Sequence, residues 1–220
     1  MSRFPIIITI TGTSGVGKGY LKDYLKQEFG LDEPAVYTTR KRRVGENRPD
    51  RRFVSESEFK EILKQKGIVF PQKLYGDRYG FDKNSFSKGN IITEVHMDIA
   101  QRFRALFPNA LMIALTTDNP KFLEYRLTKR GDDPKLACKR IKASEKEIAS
   151  TRALKKIFDI NYEVGFENEN RIVEDIKLRL NSLIDKKNSA VKRVDVLKKL
   201  KSKAIVKKRN LNRFKKIRRN

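Results

Sequence analysis

Apolar positions follow two rhythms along this chain. Short runs rich in β-branched residues at 5–11, 34–38, 91–95, 110–115 and 160–164 have the length and composition of buried strands. Stretches at 18–28, 56–66, 98–106, 119–129, 135–156 and 169–185 instead repeat their apolar residues at helical spacing. Strand and helix patterns alternate, which predicts an α/β fold with a parallel sheet flanked by helices. Ser55-Glu-Ser-Glu58, ahead of Phe59, is a capping box in which Ser55 and Glu58 satisfy the orphan N–H groups of a helix start. Gly131-Asp-Asp-Pro134 interrupts two helical stretches and predicts a mobile loop between basic flanks. There is no internal repeat.

Charge divides the chain. Its 220 residues carry a net charge of +24. Residues 186–220 hold 16 lysines and arginines against one acid, Asp195, whereas residues 1–185 hold 35 basic and 26 acidic residues. The body, 1–185, therefore reads as a moderately basic domain suited to handling phosphate. The tail, 186–220, reads as a disordered or marginally helical segment because like charges repel. Such a tail suits nucleic acid or an acidic membrane surface, and such binding weakens with salt as counterions are released. No apolar stretch approaches the ~18 residues needed to span a bilayer. The apolar segment Phe4–Ile10 runs straight into a glycine-rich loop, so it reads as a core strand and not as a leader. A single cysteine, Cys138, excludes an internal disulfide framework and fits an intracellular, cytoplasmic setting. Oligomeric state is not encoded in these patterns.

The most specific chemistry lies after the first strand. Gly12, Thr13, Ser14, Gly15, Val16, Gly17 and Lys18 have the spacing G-x-x-x-x-G-K in a strand–loop–helix context. Backbone N–H groups of such a loop cradle phosphate oxygens, the following helix adds its positive dipole end, and the lysine adds a mobile cation. The fold class is therefore a P-loop NTPase fold, and these residues with Gly19 are candidates for binding ATP. A P-loop ordinarily supplies a Mg²⁺-binding hydroxyl directly after the lysine, but here Gly19 and Tyr20 follow. Mg²⁺ would then be held by phosphates, water and an acid from elsewhere. Glu94, which ends the run Ile91-Ile-Thr, is the candidate. Residues 39–54 gather seven arginines and lysines with few apolar residues and read as an anion-binding loop.

Within that loop, Thr38-Thr-Arg40-Lys-Arg-Arg43-Val-Gly-Glu46 resembles the T-T-R-x-x-R-x-G-E segment of guanylate kinases. Further matches keep the family's order: Phe53-Val-Ser-x-x-Glu-Phe59, Tyr79-Gly80, the strand at Ile91, Arg126-Leu-x-x-Arg-Gly131, and Arg140 followed by Glu147. The resemblance covers roughly residues 4–185. It implies a small nucleoside-monophosphate-binding subdomain at about 36–90 and a helical lid at about 126–145. It also implies transfer of the γ-phosphoryl group of ATP to a nucleoside monophosphate, a reaction that depends on positioning and charge neutralisation. By the same resemblance Arg40, Arg43, Arg51 and Tyr79 bind the acceptor phosphate, and Arg126 belongs to the lid and the ATP site. Lys18, Arg130 and Arg140 neutralise the transferring group. Asn168 matches an asparagine near the adenine loop.

The pocket for the acceptor base departs from the family. Positions that read guanine with Glu, Ser or Thr, and Asp align with Phe70, Phe81 and His96. Phenylalanine accepts no conventional hydrogen bond, and burying the guanine donors unpaired would cost about 1–3 kcal/mol each. Several readings stay open on these residues. One is a kinase whose acceptor is not GMP but another nucleotide or a phosphorylated sugar, with Phe70 and Phe81 stacking on a base and His96 reading an edge. In a second, the two phenylalanines are simply core. The others are a catalytically inactive guanylate-kinase-like binding module and a nucleic-acid-binding protein acting through its basic tail.

Overall fold

The computed structural model describes residues 6–186 except 43, 44, 75, 88, 132, 169 and 170, together with residue 189. Arg43, and the segment 186–220 apart from Lys186 and Ser189, therefore lie outside the described residues. The chain divides into two compact units, residues 4–177 and residues 1–3 with 178–220. In the second, residues 178–186 are helical. No helix among the described residues is long and apolar enough to cross a membrane.

The larger unit holds two sheets. The first contains β1 (Ile7–Gly12), β6 (Ile91–Glu94), β7 (Leu111–Thr116) and β8 (Ile160–Glu163), in the order β6-β1-β7-β8 and wholly parallel. Ile8, Ile10, Ile92, Met112 and Ile113 are completely buried, which is why these strands read as continuous apolar runs: both faces are covered. Between the strands run α1 (Lys18–Phe29), α3 (Met97–Leu106), α4 (Pro120–Lys129) and α5 (Pro134–Ala153). A further helix begins at residue 171 and occupies the unit to residue 177. All of these lie within a few residues of the stretches the helical spacing predicts.

The second sheet is where pattern and structure part. β2 (Val36–Thr38), expected from its apolar run, does not join the parallel sheet. It pairs in parallel with β3 (Arg51–Phe53) and antiparallel with β5 (Asp77–Asp82), and β5 pairs with β4 (Ile68–Leu74), giving the order β3-β2-β5-β4. The sequence pattern misses β3, β4 and β5 because they carry charges or Pro71; β3 and β4 are the edge strands, where both are tolerated, whereas β5 is interior and places its charges at its ends, Asp77, Arg78 and Asp82. Helix α2 (Glu56–Lys64) sits between β3 and β4 and is capped as expected. Glu58 N–H donates to Ser55 Oγ at 3.2 Å, and Ser55 N–H donates to Glu58 Oε2 at 2.7 Å.

A cluster of phenylalanines binds the second sheet to the first layer. Phe70 of β4, Phe81 of β5 and Phe86 of the 3₁₀ turn Lys83–Ser87 meet Phe103 and Phe107 at the end of α3, with successive ring centroids 4.8–5.9 Å apart. Phe103 is completely buried and Phe70 nearly so. Phe70→Ala is expected to cost about 3–5 kcal/mol through the cavity it opens. Urea unfolding of the purified variant checks this.

Candidate active site

The P-loop is built as its glycines require. β1 ends at Gly12, where a Cβ would run into the Leu115 carbonyl of the neighbouring strand β7. Gly17, at φ 104°, occupies the left-handed region as the N-cap of α1. Lys18 Nζ donates to the carbonyls of Gly12 and Thr13 at 2.9 and 2.7 Å. Desolvation pushes this lysine below its ordinary pKa and nearby Arg130 and Arg140 push the same way, while Glu94 and Glu147 oppose them. The Thr13 hydroxyl is buried with no hydrogen-bond partner among the described residues. One cleft opens over this loop. Ser14, Gly15, Gly17, Lys18, Gly19 and Tyr20 form one side, and Arg48, Arg126, Lys129, Arg130 and Arg140 the other. Arg126 and Lys129 share a face of α4 three residues apart, Arg130 is its C-cap, and Arg140 projects from α5. Five cations thus face a ready-made anion site at the start of a helix.

A second cleft adjoins the first. Val36, Gln72, Leu74, Tyr79 and Phe81 contribute from the small sheet, Thr93, Glu94 and His96 from the end of β6, and Arg51, Lys22, Arg140 and Glu147 close the rest. Of the sequence candidates, Arg51, Tyr79, Phe81, His96 and Glu94 are brought together here. Phe81 is buried edge-on against Phe86 and still forms part of the wall. His96 is the N-cap of α3, its Nδ1 accepting from Asp98 N–H at 3.3 Å, and its Nε2 lies 3.6 Å from Glu147. Phe70 does not reach the cleft. It sits at φ +51° beside a bulge in β4, and that turn sends its ring into the core against Phe103. Arg40 is also off the cleft wall. It donates to Glu46 at 2.7 and 2.9 Å and lies over the Phe53 ring at 5.3 Å.

Along the walls of both clefts runs an ion-pair network that carries almost no sequence signal. Lys22, with its side chain 3 % exposed, lies 2.6 Å from Glu33 and 3.7 Å from Glu94. Glu33 also takes Lys26 and Arg48, each at 3.1 Å. Arg48 and Arg51 in turn grip Asp50 at 3.0 and 3.3 Å. Burial alone would raise the pKa of Glu33, but the hydrogen bonds from Lys22 and Lys26 outweigh it and hold the carboxyl below its ordinary range. Asp50 behaves alike: burial opposes its charge, and Arg48 and Arg51 prevail. Lys22 is one turn after Lys18 on the same face of α1, and that i, i+4 spacing was the available signal. Glu33 and Asp50 lie in irregular chain and had none.

These clefts lie at the carboxyl ends of the parallel strands, where open α/β sheets bind ligands, and they define a P-loop nucleotide-binding protein. A guanylate kinase of Lactobacillus acidophilus is 30% identical over 198 residues, covering 86% of this chain and 92% of that protein. One from Trichormus variabilis is 33% identical over 154 residues, covering 64% and 75%. The crystal structure of guanylate kinase from Anaplasma phagocytophilum shares the fold, with a TM-score of 0.59 at 19% identity over 81% of this chain and 85% of that one. No protein-family model matches. The chain belongs to the guanylate kinase family, and so to the nucleoside monophosphate kinases, which are ATP phosphotransferases.

Glu33→Gln leaves the buried Lys22 short of its counter-charge and is expected to destabilise the protein by about 3 kcal/mol at pH 7. Because the carboxyl pKa is lower folded than unfolded, its contribution is full above the unfolded value and is lost as pH falls through the folded one. The stability gap between wild type and variant, followed by denaturant unfolding, should therefore narrow below about pH 4.5.

Proposed function

We propose that the chain transfers the γ-phosphoryl group of ATP to a 6-oxopurine nucleoside monophosphate, the kind of acceptor its relatives' name denotes. The observation that carries this reading is the junction of the two clefts: Ser14, Lys18, Glu94 and Arg140 line both. A donor phosphate on the P-loop and an acceptor phosphate beside Arg51 and Tyr79 would meet at these four residues. An oxygen of the acceptor phosphate attacks the γ-phosphorus and the bond to the β,γ-bridging oxygen breaks. The products are ADP and a nucleoside diphosphate.

The chain's own residues supply position and charge. Gly12 to Gly19 cradle the donor phosphates, and Arg126 meets them from α4. Lys18, Arg130 and Arg140 neutralise the group in transit, the task for which guanidinium forks are suited. The phosphates also favour the charged form of Lys18, against the desolvation that lowers its pKa. Arg51 and Tyr79 hold the acceptor phosphate, Phe81 packs beside its base, and His96 stands at the far wall. Arg40 supports this loop through Glu46, and the family pattern assigns Arg43 to the same phosphate. Residues 36–90 act as the acceptor-binding part and 126–145 as the lid. At the ends of β7 and β8, Thr117, Asn119 and Asn168 border a shallow cleft suited to the adenine, where Asn168 is fixed by bonds with Gly165 N–H and the Glu163 carbonyl.

The residues present fit Mg²⁺ bound largely through nucleotide. Glu94 is the one carboxylate at the junction that also faces the P-loop cleft, and no cluster of three acidic, histidine or cysteine ligands occurs among the described residues. Such a site, with one carboxylate, phosphates and water, is typical of Mg²⁺. Bound there, the ion would draw charge from the β- and γ-phosphates.

The test is phosphoryl transfer from Mg·ATP to a panel of nucleoside monophosphates and sugar phosphates. Turnover of a 6-oxopurine nucleotide is expected, with kcat falling about 10²–10³-fold in Lys18→Ala and in Arg140→Ala. A wild-type protein inert toward the whole panel would refute the reading.

A further inference from the structure

The wall of the acceptor cleft contains a polar group that neither the sequence pattern nor the family assigns. β4 carries a bulge in which Phe70 and Pro71 together stand opposite Gly80. Past the bulge the register resumes with Gln72 opposite Tyr79. Directly opposed residues of an antiparallel pair share a face of the sheet. Tyr79 lines the cleft, and so does Gln72. The extra residue thus changes which side chain looks inward: Phe70 turns to the core and Gln72 takes the cleft. Gln72 Oε1 is buried there and has no hydrogen-bond partner among the described residues. Val36, Leu74 and Phe81 around it are apolar and offer it none. A buried carbonyl oxygen without a donor, in a cleft of this shape, is a feature that a ligand donor completes.

A primary amide presents an acceptor and a donor side by side in one plane, whereas a carboxylate presents two acceptors. The two groups select different base edges. Two acceptors match the N1–H and 2-amino donors of guanine. An amide matches an edge with a donor beside an acceptor, as in the N1–H and O6 of any 6-oxopurine; adenine offers the same pair in reverse order, and the acceptor class proposed above selects the first. We propose that Gln72 is the specificity-determining residue of the acceptor site and that it reads the N1–H/O6 edge. The 2-amino group is left unread, so the enzyme accepts 6-oxopurine monophosphates with and without it. This rests on the acceptor being a nucleoside monophosphate, as proposed above.

Steady-state kinetics with Mg·ATP and GMP, IMP or AMP test it in the wild type, in Gln72→Glu and in Phe70→Leu. The wild type should use GMP and IMP with kcat/KM values within about tenfold of each other, and AMP more poorly than either. Gln72→Glu should raise the GMP/IMP ratio about tenfold or more, the value of one added hydrogen bond to a charged acceptor. It should leave the KM for ATP unchanged. Phe70→Leu, a core substitution, should not move the ratio. The proposal is overturned by a wild type that prefers GMP to IMP more than about hundredfold, by AMP as the best acceptor, or by a ratio that Gln72→Glu does not shift. The first of these needs no variant to fold. Failure of all three acceptors would instead bring down the kinase reading itself, and this one with it.

Discussion

The packing of Phe70, Phe81 and Phe86 against Phe103 and Phe107 is the contact on which the site depends. It joins a small mixed sheet, four short strands with little core of their own, to α3 and the apolar layer beneath the parallel sheet. Aromatic pairs at these separations add about 0.5–1.5 kcal/mol each beyond the area they bury. Their consequence is geometric. With the rings in place, the face of β5 that carries Phe81 also carries Tyr79, and with it Gln72 and Leu74 of β4, along the acceptor cleft, which shares four residues with the P-loop cleft. Without that anchor the strands would have no fixed distance from Lys18.

Charge is arranged in two tiers. The upper tier is cationic, with lysines and arginines from α1, α4 and α5 around the P-loop. The lower tier is balanced, with Lys22, Lys26 and Arg48 on Glu33, and Arg48 and Arg51 on Asp50. Burying ions is costly unless each is paired, and here the pairing does more than offset that cost. It ties α1, which carries the P-loop lysine, to the loop of Arg48 and Asp50 that leads into Arg51 at the start of β3. Arg126, Arg130 and Arg140 face the P-loop cleft from α4 and α5, outside the pairs that Glu33 and Asp50 hold together.

How much of this was legible from the chain depends on whether the signal was local. The P-loop was, since its glycines answer to steric demands of the loop itself and of the strand beside it. The five strands expected from apolar runs all exist, but β2 belongs to the other sheet, because three residues do not specify a partner. β3 reads Arg-Arg-Phe and β4 contains Pro71, so neither carries a strand pattern. Glu33 and Asp50 gave no sign, because their importance comes from cations that approach from residues 22, 26, 48 and 51.

The acceptor wall shows the division most clearly. Alignment by spacing puts Phe70 where a base-reading group belongs, and counted back from Gln72 along an unbroken strand it would share that residue's face. One extra residue in the β4–β5 ladder reverses it, since side chains alternate with a period of two and a bulge shifts the phase. The class of fold, the phosphate-binding loop and the set of arginines available to it are legible in the chain, because all follow from short-range sterics and composition. Which residues face the acceptor emerges only in three dimensions, because strand register is settled by what each face can bury. Phe70 has a phenylalanine cluster to join, and Gln72 does not.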